Sequence, residues 1–210
     1  MENDTPNKIK ISKEIIATLP IETFPGKIVV IDNERDADNA VLQLNNERII
    51  GFDTETRPTF KKGKSNHVAL IQLSTHDTCY LFRINRIGFT PAIKNLLENE
   101  SLLKVGISLK DDFCMLSRLN GGQFIPKNFI ELQKFVKKYN IEDQSLQKIY
   151  GIVIGKKISK GQRLSNWEAD HLTENQQLYA ATDAWSCIKI YEVLKSGKFK
   201  SPIYKIQPWS

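Results

Sequence analysis

The chain has 210 residues, 40% hydrophobic and 26% charged, with 30 Lys plus Arg against 24 Asp plus Glu and a formal net charge of +6. Those proportions suit a well-cored globular domain and exclude bulk disorder, collagen-like repeats and a membrane span, since no uncharged apolar run approaches the ~18 residues a bilayer crossing needs. The positive balance fits a polyanionic partner, although by itself it is a weak signal.

The N-terminal stretch MENDTPNKIK is polar and has no apolar signal core, so an intracellular protein is expected, with the cytoplasm as the default place. Three well-separated cysteines, Cys79, Cys114 and Cys187, read as reduced thiols, and the scattered histidines offer no His/Cys metal centre. No membrane partner and no organic cofactor are expected, and nothing indicates an oligomeric state.

Residues 1–25, with Pro6, Pro20 and Pro25, read as an N-terminal arm. A β-branched run over 27–31 predicts a strand, and Ala37, Ala40, Val41 and Leu44 are spaced as on a helix over 36–45. A second strand is predicted over 48–53, then a basic loop, Lys61-Lys-Gly-Lys64, and two more strands over 67–74 and 78–82. Thr90-Pro91 starts a helix through Leu97, with Thr as cap and Pro at the first helical position.

A strand over 102–106 leads to Ser108, which is expected to cap a helix carrying Asp112, Met115, Leu116 and Leu119 and stopped by Asn120-Gly121-Gly122. Helical patterns follow over 129–139 and 145–150. The last helix has the clearest start, because Thr173-Glu-Asn-Gln176 is a capping box. Its apolar stripe runs from Leu178 to Leu194, and Gly197 stands where the C-cap glycine belongs. Strands first and helices later predict an α/β domain over 26–200, with one mixed sheet flanked by helices and a tail over 201–210.

Asp53-Thr-Glu55 is the sharpest feature. Residues i and i+2 of a strand share a face, so two carboxylates project together beside an apolar segment. Desolvated and close, they cannot both stay ionised without compensation, and a hard divalent cation is the usual supplier. An isolated DxE reads equally well as a strand end entering a solvated loop. Two further positions shift the balance. Asp111-Asp112 lies in the first turn of a helix, where the macrodipole favours acids. Asp183 lies inside the strongest helix, one turn after Tyr179 on the same face.

Asp53-x-Glu55, Asp112 and Tyr179-x-x-x-Asp183 resemble, in order and spacing, the three motifs of the DEDD superfamily of 3′→5′ exonucleases, tyrosine subclass. The likeness extends through Gly51-Phe-Asp-Thr-Glu55, Val68-Ala-Leu-Ile-Gln-Leu73, Cys79-Tyr-Leu-Phe82, Leu96-Leu-Glu-Asn99 and Lys104-Val-Gly106. It continues in Asn128-Phe-Ile-Glu-Leu132, Leu164-Ser-Asn-Trp167 and Leu172-Thr-Glu-Asn-Gln-Gln-Leu-Tyr-Ala-Ala-Thr-Asp-Ala184, and covers residues 28–195. The family places its Asp six residues after a strand-ending Gly and four before a Leu. Gly106 and Leu116 therefore select Asp112 over Asp111.

The resemblance implies a ribonuclease H-like fold and a stand-alone nuclease domain. It also implies hydrolysis of terminal phosphodiesters by two divalent ions, Mg²⁺ or Mn²⁺, releasing nucleoside monophosphates from a nucleic acid with a 3′ end, DNA ahead of RNA. Asp53, Glu55 and Asp183 would ligate the metal nearer the attacking water. Asp53 would bridge to a second ion that Asp112 assists through water, and Tyr179 would orient the water. Thr54, Lys160 and Arg163 are the expected substrate contacts, with Lys61–Lys64, Lys156 and Lys157 as further candidates for phosphate. Trp167 reads as packing and Glu131 as a helix-start carboxylate. The competing readings are a catalytically inactive nucleic-acid-binding module on the same fold and a structural protein with a solvated acidic rim.

Overall fold

The computed structural model describes residues 8–56 and 67–200. Its six strands are β1 (Lys27–Ile31), β2 (Ile49–Thr56), β3 (Val68–Ser74), β4 (Thr78–Phe82), β5 (Leu103–Gly106) and β6 (Phe129–Glu131). They form one mixed sheet in the order β1-β4-β3-β2-β5-β6. The β2–β3 and β3–β4 pairs are antiparallel, whereas β1–β4, β2–β5 and β5–β6 are parallel. The central strand β3 is buried along its whole length, as its run Val-Ala-Leu-Ile-Gln-Leu-Ser demands.

The helices are α1 (Lys13–Thr18), α2 (Glu34–Leu44), α3 (Ile84–Ile87), α4 (Pro91–Leu97), α5 (Leu109–Leu119), α6 (Leu132–Phe135), α7 (Leu146–Ile154) and α8 (Glu174–Lys195). Two cores result. One side of the sheet packs Ile50 and Phe52 of β2 with α2, α4 and α5. The other packs α7 and α8 with α1 and its flanks, including Ile11, Ile16, Leu19 and Phe24. Residues 8–25 thus lie on the domain. The Ile11 amide donates to Asp143 (2.8 Å), and the Phe24 amide donates to Thr182 of α8 (3.0 Å).

Local signals that need no distant partner came out as read. Thr90 caps α4 with Pro91 at its first position, and Ser145 caps α7. Thr173 and Gln176 form the reciprocal capping box of α8. Three features differ. The helix expected over 129–139 opens instead as β6, because Phe129, Ile130 and Glu131 pair with Lys104, Val105 and Gly106; only then do α6 and a 3₁₀ turn, Val136–Tyr139, follow. The strand expected to stop at residue 53 continues to Thr56, so Asp53 and Glu55 both sit in regular β-structure, with a register shift only between Glu55 and Thr56. Ser108 does not cap α5 with its side chain, and its backbone is left-handed at φ 59°.

Helix α8 is buried on more than its apolar stripe: every residue from Tyr179 to Ile188 is buried. A helix covered all round sits in the interior of the domain, and this one lies between the sheet and α7. That position lets a mid-helix aspartate face a strand.

Candidate active site

β2 and α8 meet where Gly51 has no side chain. A Cβ built there would lie 1.9 Å from the carbonyl oxygen of Ala184, so only glycine admits the helix this close. Ala184 follows Asp183, and Gly51 precedes Asp53 by two residues on the same strand face. The close approach therefore brings the helix carboxylate to the strand carboxylates. Oxygens of Asp53, Glu55 and Asp183 all lie within 4.8 Å of one another. Glu55 and Asp183 are 8% and 9% exposed, while Asp53 keeps a half-open edge.

These acids repel. Burial first, and then the Glu55, Asp183 and Asp112 charges, hold the Asp53 carboxyl well above its ordinary range. Burial and the charges of Asp183 and Asp112 push Glu55 up to about 9, against a small opposing pull from Arg163. Burial raises Asp183 to about 7, although the Tyr179 hydroxyl donates to it and the Lys160 charge favours its ionised form. Tyr179 is itself pushed upward by burial and the surrounding carboxylates, so its phenol stays protonated at neutral pH. Its ring lies 6.0 Å from that of the fully buried Trp167, which packs against it.

Asp112 approaches from the opposite side of β2. The Thr54 side chain alternates with those of Asp53 and Glu55, points toward α5 and donates its hydroxyl to Asp112. Burial lifts Asp112 to about 6 against that hydrogen bond. The Thr54 hydroxyl is therefore engaged with Asp112, whereas the substrate contact expected there concerns the backbone around Thr54 and Glu55.

Glu131 is the participant that sequence reasoning undervalued. Its carboxylate accepts from the backbone amides of Ser108 (3.1 Å), Leu109 (2.8 Å) and Gln133 (3.0 Å). It thus caps α5 from β6 and fixes the helix turn that carries Asp112. The serine at the cap position masked this, because a capping carboxylate more than twenty residues away in sequence leaves no local signature.

The basic candidates divide. Lys160 and Arg163 lie close enough to act on Asp183 and Glu55, respectively. Their loop is tied down from α8, where Gln176 donates to Ser165 (3.0 Å) and to the Asn166 carbonyl (3.1 Å). Lys156 and Lys157 are instead committed internally, the first to Glu22 (2.7 Å) and the second to the Ala17 carbonyl. Both ammonium groups thus already have a partner within the chain, which charge alone does not reveal. Lys61–Lys64 lie outside the described residues.

A cavity of ≈ 310 Å³ opens beside Tyr179, lined also by Thr23, Gln162 and Asn175. On the β5 side, the ladder with β2 ends at Gly51–Val105, so β2 runs past its parallel neighbour beside the acids.

Comparison with known proteins agrees with this geometry. A family model described as 3′-5′ exonuclease matches residues 28–197. The bifunctional 3′-5′ exonuclease/ATP-dependent helicase WRN of Mus musculus is 36% identical over 203 residues, covering 90% of this chain and 14% of that protein. A 3′-5′ exonuclease of Arabidopsis thaliana is 28% identical, covering 84% of this chain and 66% of that protein. The chain thus spans less than two thirds of either relative.

Among solved structures, the EXO domain of Aedes aegypti Nibbler superposes with a TM-score of 0.75 at 23% identity, over 83% of this chain and 91% of that one. Escherichia coli RNase D superposes at 0.73 and 20% identity, over 82% and 45%. The architecture is the ribonuclease H-like fold of these nucleases, and the chain belongs to the 3′-5′ exonuclease family.

Proposed function

We propose that Asp53, Glu55, Asp112 and Asp183 form the active centre of a divalent-metal-dependent 3′→5′ exonuclease of the tyrosine subclass. The observation that carries the proposal is the knot of carboxylate oxygens within 4.8 Å, buried and repelling. No salt bridge among the described residues pairs a cation with Asp53, Glu55 or Asp183, the three acids whose oxygens lie within 4.8 Å of one another. Such an all-oxygen donor set fits Mg²⁺ or Mn²⁺. Asp53, Glu55 and Asp183 would hold one ion, and Asp53 with Asp112 a second. When bound, such a pair would neutralise the acids, acidify water and offset charge on the departing oxygen.

The chain's own groups do the rest. Tyr179, neutral and hydrogen-bonded to Asp183, orients the attacking water rather than deprotonating it. Water adds to the terminal phosphorus, the bond to the 3′-oxygen of the preceding nucleotide breaks, and a nucleoside 5′-monophosphate leaves with a new 3′-hydroxyl behind it. Lys160 and Arg163, beside the acids, hold the scissile phosphate and offset its charge. The cavity next to Tyr179 offers room for the departing nucleoside. Thr54 and Glu131 keep Asp112 aimed at the side where the 3′-oxygen departs.

The test is a 5′-labelled oligonucleotide, in matched DNA and RNA forms, with Mg²⁺ or Mn²⁺. Stepwise shortening that stops with chelator is expected, and the ratio of the two rates assigns the sugar preference. Protein that shortens neither substrate in either metal removes the enzyme reading.

A further inference from the structure

The central strand β3 carries a polar side chain that the fold alone leaves without a partner. Gln72 is fully buried, and neither its Nε2 nor its Oε1 is hydrogen-bonded among the described residues. A buried amide left unpaired costs stability, so the group calls for a partner that the folded chain alone does not supply.

Its place in the ladder points to that partner. β2 and β3 are antiparallel, and Gln72 lies directly opposite Asp53, with Leu70 opposite Glu55 and Ser74 opposite Gly51. Opposed residues share a face with Cβ atoms ~4.5–5.5 Å apart, and diagonal neighbours stay within reach of a long side chain. Gln72 is thus beside Asp53 on the face toward α8, with Glu55 on the diagonal. On its other side stands Leu81 of β4. Leu70 and Leu81 offer no polar group, and the Ser74 hydroxyl already donates to the Thr75 carbonyl (2.9 Å).

Ligating carboxylates are aimed by groups that touch the ligand and not the ion. The Thr54 hydroxyl does this for Asp112. For Asp53, which the proposed ions share, the unpaired side-chain donor across the ladder is Gln72. An ionised acceptor roughly doubles the strength of such a hydrogen bond.

We infer that Gln72 is a positioning residue of the metal centre: its Nε2–H donates to the Asp53 carboxylate when that group ligates the ions, and so aims the shared ligand from inside the sheet. The inference rests on the exonuclease reading for the presence of the ions. Gln72 acts through Asp53 and not on the substrate, since no part of its side chain reaches the surface.

Gln72→Met keeps the side chain's length and removes both polar atoms. The metal-free variant should melt at or above the wild-type temperature, because apolar surface replaces an unpaired buried amide. Its affinity for Mn²⁺, read from the free-ion EPR signal in a titration without nucleic acid, should fall about tenfold. Gln72→Leu should give the same two results, which ties the loss to the amide rather than to one side-chain shape. A Gln72→Met protein that fails to fold or melts clearly below wild type makes the amide a structural element and overturns the proposal. Wild-type affinity for Mn²⁺ in either variant overturns it as well. The shortening assay on wild-type protein, run in parallel, judges the exonuclease reading separately: Mn²⁺ binding and digestion by wild type, with undiminished affinity in Gln72→Met, sink the role of Gln72 alone.

Discussion

Two acidic sites flank α8, the half-buried Glu22 and the group of Asp53, Glu55 and Asp183, and their chemistry is opposite. Glu22 sits with Lys156 (2.7 Å), Lys189 of α8 (2.9 Å) and the Tyr150 hydroxyl. Burial works to raise its pKa, but those three donors outweigh burial and hold the carboxyl at about 2. Asp53, Glu55 and Asp183 crowd together on the sheet side of the helix, where the charges of Lys160 and Arg163 do not offset burial and mutual repulsion, and all three are pushed upward. A carboxylate buried to fasten the N-terminal segment brings its cations in the same chain. On the proposed reading, the second set leaves its compensating charge to come from outside. The first arrangement is complete on folding, and the second would become complete on binding.

The largest expected effect tests the second half of that contrast. Asp53→Asn removes one of the repelling charges and keeps the side chain's shape. Turnover on a labelled oligonucleotide should fall about 10³-fold, equivalent to about 4 kcal/mol of barrier. The metal-free protein should meanwhile melt at a temperature equal to or higher than wild type, because a destabilising charge has gone. A variant that melts clearly lower with turnover intact would make Asp53 a structural residue and erase the distinction between the clusters.

Much of this was legible in the chain itself. Asp53 and Glu55 share a face because a strand has period two, and Tyr179 and Asp183 share one because a helix turn has close to four residues. The α8 capping box uses only residues three apart in sequence, so it read correctly. What stayed hidden depended on distant partners. The segment over 129–139 looks helical until β5 offers Phe129–Glu131 a ladder. Ser108 looks like a cap until Glu131 arrives from another strand. Lys156 looks available for phosphate until Glu22 claims it. The Pro-broken N-terminus looks like an arm until Ile11, Ile16 and Phe24 enter the α8 core. In each case local pattern gave one answer and a tertiary contact supplied the other.

An intermediate effect sharpens the comparison through pH. A carboxyl whose folded pKa is raised favours the folded state only while it stays protonated. That contribution is complete below the unfolded value of ~4 and is lost as pH rises through the folded value. For Asp183 the folded value is about 7 and for Glu55 about 9. In chelator, the melting temperature of wild type should therefore drop relative to Asp183→Asn as pH goes from 5 to 9. Mn²⁺ should restore wild type most at the alkaline end and have little effect on the variant, because binding to the folded form alone adds stability. A wild-type-minus-variant difference that is flat with pH, with and without Mn²⁺, would mean the acids are not compensated by a cation at all.

The smallest effect belongs to Glu22, and its pH dependence has the reverse sign. Its lowered pKa means the stabilising charge is present above ~4 and is lost as pH falls toward about 2. Lys156 and Lys189 are 44% and 26% exposed, so solvent screens the pairs and discounts what they contribute. Glu22→Gln keeps an acceptor for Tyr150 and loses the charge, so it should cost about 1 kcal/mol in urea unfolding at neutral pH. That cost should shrink as the pH approaches 2, with the exonuclease rate unchanged within about twofold, since Glu22 lies outside the acidic centre. A cost that persists undiminished at pH 2 would assign the loss to packing rather than charge. The contrast between the two clusters would then rest on shape rather than on electrostatics.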